Sequence, residues 1–287
     1  MGYWGAGLYA NDTGADVRDA YMTALQDGLD DETSWEKVQE KDVESILAEL
    51  PEWGVENIVA HPKWFRSDGE SYVRKIQNLL EKYHLRSTAC HALWGTGNDC
   101  INPDPVIQND MIRRQSIFLR ELRMLKVTTF TIHLGYRKDM SLEKNFSLLE
   151  KSVDSLLPVC EETGITLALE NSGEPLPVIQ RMEEMVQKYH HPNLGTCFDC
   201  GHANCYGGGV AKILEVMKNN IVTCHLHDNY GEHDDHNPPG EGNIDWKELD
   251  SMLDTLPRLY HAETESGIWH KESWDAFRSV LGKTVAG

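Results

Sequence analysis

Positive charge is scarce in this chain. Its 287 residues carry 27 lysines and arginines against 46 aspartates and glutamates, a formal net charge of −19. A surface this negative repels phosphate backbones and anionic headgroups, which weighs against nucleic acid and membrane surfaces as partners. Long apolar runs are missing too: none approaches the ~18 residues that a membrane span needs. Residues Met1 to Asn11 lack the basic start and continuous apolar core of a secretory signal. The seven cysteines are an odd number without framework spacing, so a disulfide-dense fold is excluded and a reduced, cytoplasmic setting is expected. Cys197 and Cys200 stand as C-x-x-C, but the Phe198-Asp199 between them reads as strand, and the pair is read as buried thiols. Only 11 prolines are scattered along a chain that is 40% hydrophobic, a globular composition long enough for a sizeable core.

From about residue 41 the sequence repeats a unit of amphipathic helix, turn, short apolar run and polar loop. Asp42 to Leu50 has helical spacing (Val43, Ile46, Leu47, Leu50) and stops at Pro51. Strands are predicted at Val55 to Ala60, Arg86 to Leu93, Phe130 to Leu134, Ile165 to Glu170, Gly195 to Asp199, Ile221 to His227 and Tyr260 to Thr264. Helices are predicted between and after them, among them Ser71 to Tyr83, Pro105 to Lys126 and Leu142 to Thr163. Strands apolar on both faces that alternate with helices argue for a parallel sheet with crossover helices. Seven such strands after residue 41 are one short of an α/β, (β/α)8 TIM-type barrel.

The first strand is the anomaly, because a helix precedes the first strand found. Residues 1–40 differ in character and resemble the start of a small bacterial domain family that begins M-G-x-W-G-x-G. Either this segment replaces the first strand, through Tyr3 to Tyr9, or it is an appended cap; the cap is favoured. Residues 41–287 form the barrel.

Polar residues gather where the strands end, which is the active-site face of such a barrel. In order they are His91, His133, Glu170, Asp199 with His202, the run H-L-H-D-N-Y-G-E-H-D-D-H-N-P-P-G-E-G from His225 to Gly242, and Glu263. Converging carboxylates repel one another unless a cation sits between them, and no lysine or arginine stands in these motifs. Imidazole with carboxylate suits Zn, Mn, Fe or Co.

Three motifs carry a family resemblance: L-E-N at Glu170, D-x-x-H at Asp199 and His202, and H-L-H-D-N followed by P-P-G-E-G-N-I-D-W. With them the stretch from about 41 to 285 resembles the xylose-isomerase-like barrel superfamily, which holds sugar (phosphate) isomerases and epimerases and the class II apurinic-site endonucleases. The epimerase branch implies one divalent ion held by Glu170, Asp199, His225 and Glu263, with Glu170 and Glu263 as acid and base. Glu265 lies two residues on, and the choice between it and Glu263 stays open, with Glu263 preferred. The endonuclease branch implies two or three zinc ions, with His91, His133, His202, Asp234 and His236 as additional ligands. Substrate-facing candidates are His61, Trp94 as a pocket wall, His227, and Glu241, where G-E-G brings backbone amides close. The expectation is a metal-dependent isomerase or epimerase of a sugar, sugar phosphate or related polyol ketone, a small-molecule enzyme with a possible homo-oligomeric state. A zinc phosphodiesterase of the endonuclease type and a non-catalytic accessory protein are the alternatives.

Overall fold

A computed structural model describes residues 3–6, 43–60, 62–65, 70–93, 97–266 and 271–281. Eight parallel strands close into a barrel in sequence order. They are β1 (Tyr3–Ala6), β2 (Asn57–Ala60), β3 (Arg86–His91), β4 (Thr129–His133), β5 (Thr166–Glu170), β6 (Leu194–Asp199), β7 (Ile221–Leu226) and β8 (His261–Thr264). The seven strands expected after residue 41 are β2 to β8, with boundaries within two residues of those predicted.

The eighth strand is Tyr3–Ala6. It pairs with β2 through Gly5↔Asn57 and with β8 through Gly5↔Glu263, closing the ring. The favoured cap therefore does not hold for these four residues, which take the first-strand place. Four residues with a glycine among them carry too little β-branched or alternating pattern to read as a strand. Residues 7–42 lie outside the described residues.

Helices follow the strands and cover the barrel. The longest among the described residues, Leu142–Thr163, starts where the Ser141 hydroxyl accepts from the Lys144 amide at 3.2 Å and ends at Gly164 in the left-handed region, φ 74°. Phe146, Leu149, Val153, Leu156 and Cys160 recur at helical spacing and form its buried face. No helix among the described residues is long and apolar enough to cross a membrane.

The two faces of the strands differ in chemistry. Phe130, Ile132, Leu167, Leu169, Phe198, Cys224 and Leu226 join the hydrophobic core. The alternate residues turn into the barrel and are largely polar. Thr129 meets His261 across the ring at 2.7 Å, and Thr223 donates to Glu263 at 2.8 Å. An extra residue in β7 shifts its register against β6, between Thr196↔Ile221 and Cys197↔Thr223, and Asp199 then pairs with His225. Such a bulge re-aims side chains, and here it accompanies the inward turn of Thr223 and His225. Cys197 and Cys200 are buried thiols, and burial pushes both well above the ordinary range.

One buried acid lies away from the strand ends. Glu183, on the helix Leu176–Tyr189, accepts from Asn220 Nδ2 at 2.7 Å. Burial pushes its carboxyl up to about 7, against the pull of Asn220, Thr196 and Arg258. An acid that holds its proton more tightly folded than unfolded favours the fold below its unfolded value of about 4.5, and that contribution is lost as pH rises through about 7. The difference amounts to about 3 kcal/mol. Glu183→Gln is expected to raise the melting temperature by several degrees at pH 8 and to change it little at pH 4.5, as measured by thermal unfolding at the two pH values.

Candidate metal centre

Strand ends build the site. His91, His133, Glu170 and Asp199 are the last residues of β3, β4, β5 and β6. His225 stands on β7, with His227 just past that strand, and Glu265 just past β8. His202 comes from a short helix, Cys200–Cys205, that the sequence pattern did not predict. Asp199 caps that helix, its Oδ1 accepting from the His202 amide at 2.6 Å, so one carboxylate places the neighbouring imidazole. Asp234 and His236 come from the long loop after β7.

Glu170 is the hub. Its Oε2 lies 3.2 Å from both His91 Nε2 and His133 Nε2, and its Oε1 lies 3.2 Å from His202 Nδ1 and 3.4 Å from His225 Nδ1. Asp199 faces His227 Nε2 at 3.1 Å and His225 Nδ1 at 3.8 Å. Asp234 Oδ2 joins His202 Nε2 at 3.1 Å to His236 Nε2 at 3.2 Å. The His227 and His236 rings stack with centroids 4.0 Å apart.

The tautomers aim lone pairs inward. His91 Nδ1 donates to the Ala92 carbonyl at 2.8 Å, and His236 Nδ1 donates to the Glu265 carbonyl at 3.0 Å. A carbonyl only accepts, so each Nε2 of the neutral ring offers its lone pair to the centre. His91 and His133 bring their Nε2 atoms within 3.2 Å of one another beside the Glu170 oxygen.

This donor set fits divalent cations. Among the described residues, every ion pair made by Glu170, Asp199, Asp234, Glu263 or Glu265 is with a histidine. Glu170 Oε1, His202 Nδ1, both His225 nitrogens, His227 Nδ1 and Asp234 Oδ1 are buried without a hydrogen-bond partner. Unmatched buried polar atoms are costly, and a cation among them satisfies several together. The ligand atoms of His91, His133 and Glu170, of Glu170, Asp199 and His202, and of Asp199, His225 and Glu265 each lie within 4.8 Å of one another.

The electrostatics agree. Burial alone would raise the Glu170 carboxyl, but His133 and His225 hold it well below the usual carboxylate range. Burial alone would lower the His202 ring, but Asp199, Asp234 and Glu170 raise it. Burial alone would lower the His236 ring as well, but Asp234, Glu265 and Asp199 together push it up to about 9. Protons and metal ions compete for these same lone pairs.

The two candidates for the last carboxylate differ in depth. Glu263 is 2% exposed and lies one inward position deeper, accepting from Thr223 and facing His261 Nε2 at 3.3 Å and His225 Nε2 at 3.6 Å. Glu265 Oε1 lies 3.1 Å from the other nitrogen of the same ring, His225 Nδ1. The ring is bracketed, with Glu265 on the side of the ligand cluster. Inward residues two apart on a strand sit ~6.5 Å apart, enough to separate a mouth position from the layer below.

The comparisons with known proteins follow this geometry. The model of the xylose isomerase-like TIM barrel family matches residues 47–275. The chain belongs to that family. This barrel is 34% identical over 238 residues to the uncharacterized protein MJ1311 of Methanocaldococcus jannaschii, covering 75% of the chain and 77% of the relative. Its fold matches the crystal structure of a D-tagatose 3-epimerase-like protein with TM-score 0.70 at 20% identity, over 100% of this chain and 98% of that one. It also matches the IOLI protein with a binding zinc atom, with TM-score 0.68 at 17% identity, over 85% and 92% of the two chains. At these identities the two structural likenesses are of fold.

Beside the ligand cluster of this xylose isomerase-like barrel, a cavity of about 210 Å³ opens next to His133. Asn98, Asp99, Tyr136, Lys138, Ser172 and Glu174 are among its lining residues. Glu174 escaped the sequence reading. It is buried four residues after Glu170, burial raises its carboxyl, and its Oε2 accepts from the Ser172 amide at 2.7 Å. Its only sequence signal is a second acid in the loop after L-E-N.

Of the substrate-facing candidates, His61 and Trp94 lie outside the described residues. His227 is fully buried among Asp199, Asp234 and His236. Glu241 is exposed, its amide donating to the Pro238 carbonyl at 3.0 Å, and the Gly240 amide donates to Asp228. The expected backbone cradle is thus consumed inside the loop. His227 depends on Gly201, where a Cβ would come within 1.9 Å of the imidazole. Gly201→Ala is expected to push His227 off Asp199 and to weaken zinc binding about tenfold to a hundredfold, as read by competition titration with the fold checked by circular dichroism.

Proposed function

We propose that this chain is a divalent-metal-dependent isomerase or epimerase of a sugar, sugar phosphate or related polyol ketone, working by proton transfer through an enediolate. One observation carries the reading: Glu170 and Glu265 approach a single nitrogen, His225 Nδ1, at 3.4 and 3.1 Å, from strands on different sides of the barrel mouth. Glu170, Asp199, His225 and Glu265 hold the ion, and Glu265 takes the ligand place first given to Glu263. A divalent ion bound there supplies Lewis acidity to a carbonyl and its neighbouring hydroxyl.

The proton chemistry belongs to the carboxylates. One removes the proton beside the carbonyl and the other returns one. Return to the opposite face inverts the carbon, and return to the adjacent carbon moves the carbonyl. The polar lining of the neighbouring cavity suits hydroxyl groups, with Asn98, Asp99, Tyr136 and Glu174 as partners. The fold likeness to an epimerase-like protein and to a zinc-bound barrel supports this reading. So does the −19 charge, which a few bound cations at the mouth leave largely in place on the surface.

A second reading has its own observation. His202, Asp234 and His236 converge within 3.2 Å contacts beside the primary cluster, as a zinc phosphodiesterase with two or three ions requires. Metal analysis of protein purified without chelator, with a screen of ketoses and abasic duplex in deuterated water, decides between them. One ion per chain and deuterium exchange beside a ketose carbonyl are expected; several ions with phosphodiester cleavage establish the hydrolase instead. Inertness toward both substrates in fully metal-loaded protein leaves the accessory role. Glu170→Gln and Glu265→Gln are each expected to slow exchange by at least about a hundredfold, and Glu263→Gln to slow it less.

A further inference from the structure

Asp228 stands two residues past β7 and is fully buried, and its carboxylate hydrogen-bonds among the described residues to loop N–H groups and an indole, not to the ligand cluster. Its carboxylate accepts four hydrogen bonds. Oδ1 takes the Asn229 amide at 2.9 Å and the Ile244 amide at 3.2 Å; Oδ2 takes the Gly240 amide at 2.9 Å and the Trp246 indole N–H at 2.7 Å. Its backbone makes two more with Asn237, N to O at 2.7 Å and O from N at 2.9 Å, an isolated antiparallel bridge. One residue thereby gathers positions 229, 237, 240, 244 and 246, which span the loop that carries Asp234 and His236.

We propose that Asp228 is the positioning residue that delivers Asp234 and His236 to the metal centre by clamping this loop; the inference rests on reading the barrel mouth as that centre. Asn237, held by the backbone bridge, is the neighbour of His236. His236 itself sits at φ 52°, a left-handed conformation that a non-glycine residue keeps only when its surroundings enforce it. Asn229, next to Asp228, extends the clamp to the helix that carries His202. Its Nδ2 donates to the Gly201 carbonyl at 3.0 Å, and its Oδ1 accepts from Asn204 Nδ2 at 2.8 Å and from the Gly231 amide at 3.0 Å. The 3.1 Å approach of His202 to Asp234 spans the two pieces so joined. The clamp is tight: a Cβ on Gly242 would lie 2.1 Å from Asp228 Oδ1 and 2.4 Å from the Asn229 carbonyl.

The chemistry singles out a carboxylate. Each oxygen meets two N–H donors. An asparagine amide has one oxygen, so whichever way it turns, its NH2 faces two other donors. Asp228→Asn keeps the shape and breaks the clamp, whereas Trp246→Phe removes one of the four bonds and keeps the apolar packing.

Cobalt(II) titration followed by visible absorption, together with amide exchange over residues 229–244, tests this. In excess cobalt, wild-type protein is expected to show a weaker binding step after the tightest one, the tightest being the single ion retained on purification, and His236→Ala is expected to abolish the weaker step. Folded Asp228→Asn is expected to keep the tightest step, to lose that weaker step, and to exchange the loop amides at least tenfold faster. Trp246→Phe is expected to weaken the same step severalfold with faster exchange, and it carries the test if Asp228→Asn does not fold. Wild-type cobalt steps and loop exchange in the folded variant overturn the proposal and leave the metal centre standing. Cobalt binding that is unchanged in His236→Ala also overturns it. Wild-type protein that binds no cobalt overturns the metal centre and the proposal together.

Discussion

A buried carboxylate ringed by imidazoles, with no lysine or arginine paired to it among the described residues, is the constraint around which the open end of this barrel is arranged. Glu170 has four histidine nitrogens within 3.4 Å of its two oxygens. Its own burial opposes its charge, and the surrounding imidazoles reverse that. Such an arrangement is stable with cations in it, as protons on the rings or as a metal among them. The other donors extend the same logic outward: Asp199 between His202, His225 and His227, then Asp234 between His202 and His236.

Support for the centre comes from beneath and from the side. The barrel interior below the mouth is polar: Thr129, His261, Glu263 and Thr223 form a connected set under His225. Glu263 gives the lower nitrogen of His225 an acidic neighbour, while the upper nitrogen turns to Glu170 and Glu265. From the side, Asp199 caps the helix of His202, and Gly201 in that helix leaves room for His227. The contacts that order the loops after β6 and β7 are thus also the contacts that place the donors.

Much of this was legible in the chain, and the gaps have physical causes. Strands β2 to β8 announced themselves as short, mainly uncharged runs between amphipathic helices; their outward faces are apolar as expected, but their inward faces are largely polar, as Thr129, Thr223 and Glu263 are. Tyr3–Ala6 did not, being four residues with no such run. The helix Cys200–Cys205 is too short for a helical period to show. The histidines and carboxylates that meet at the mouth were legible because most of them end strands. Glu265 was set second to Glu263 because both lie on one inward column, and sequence spacing does not tell which layer reaches the ligands. Glu174 was passed over because its place rests on burial and a hydrogen bond to the backbone, and Asp228, quoted within H-L-H-D-N, was given no part because its four donors come together only in the folded loop.

Residue order alone determined the alternation of strand and helix, and with it a barrel whose strand ends are rich in histidine and acid. It also determined the excess of negative charge. Those properties are local or additive, and they survive being read one residue at a time. Tertiary structure decided which strand closes the ring, which of two glutamates faces His225 Nδ1, and that the Gly240 amide of the G-E-G turn goes to Asp228. The first two depend on distances between residues far apart in the chain, set by strand register, and the third on how the loop after β7 closes on Asp228.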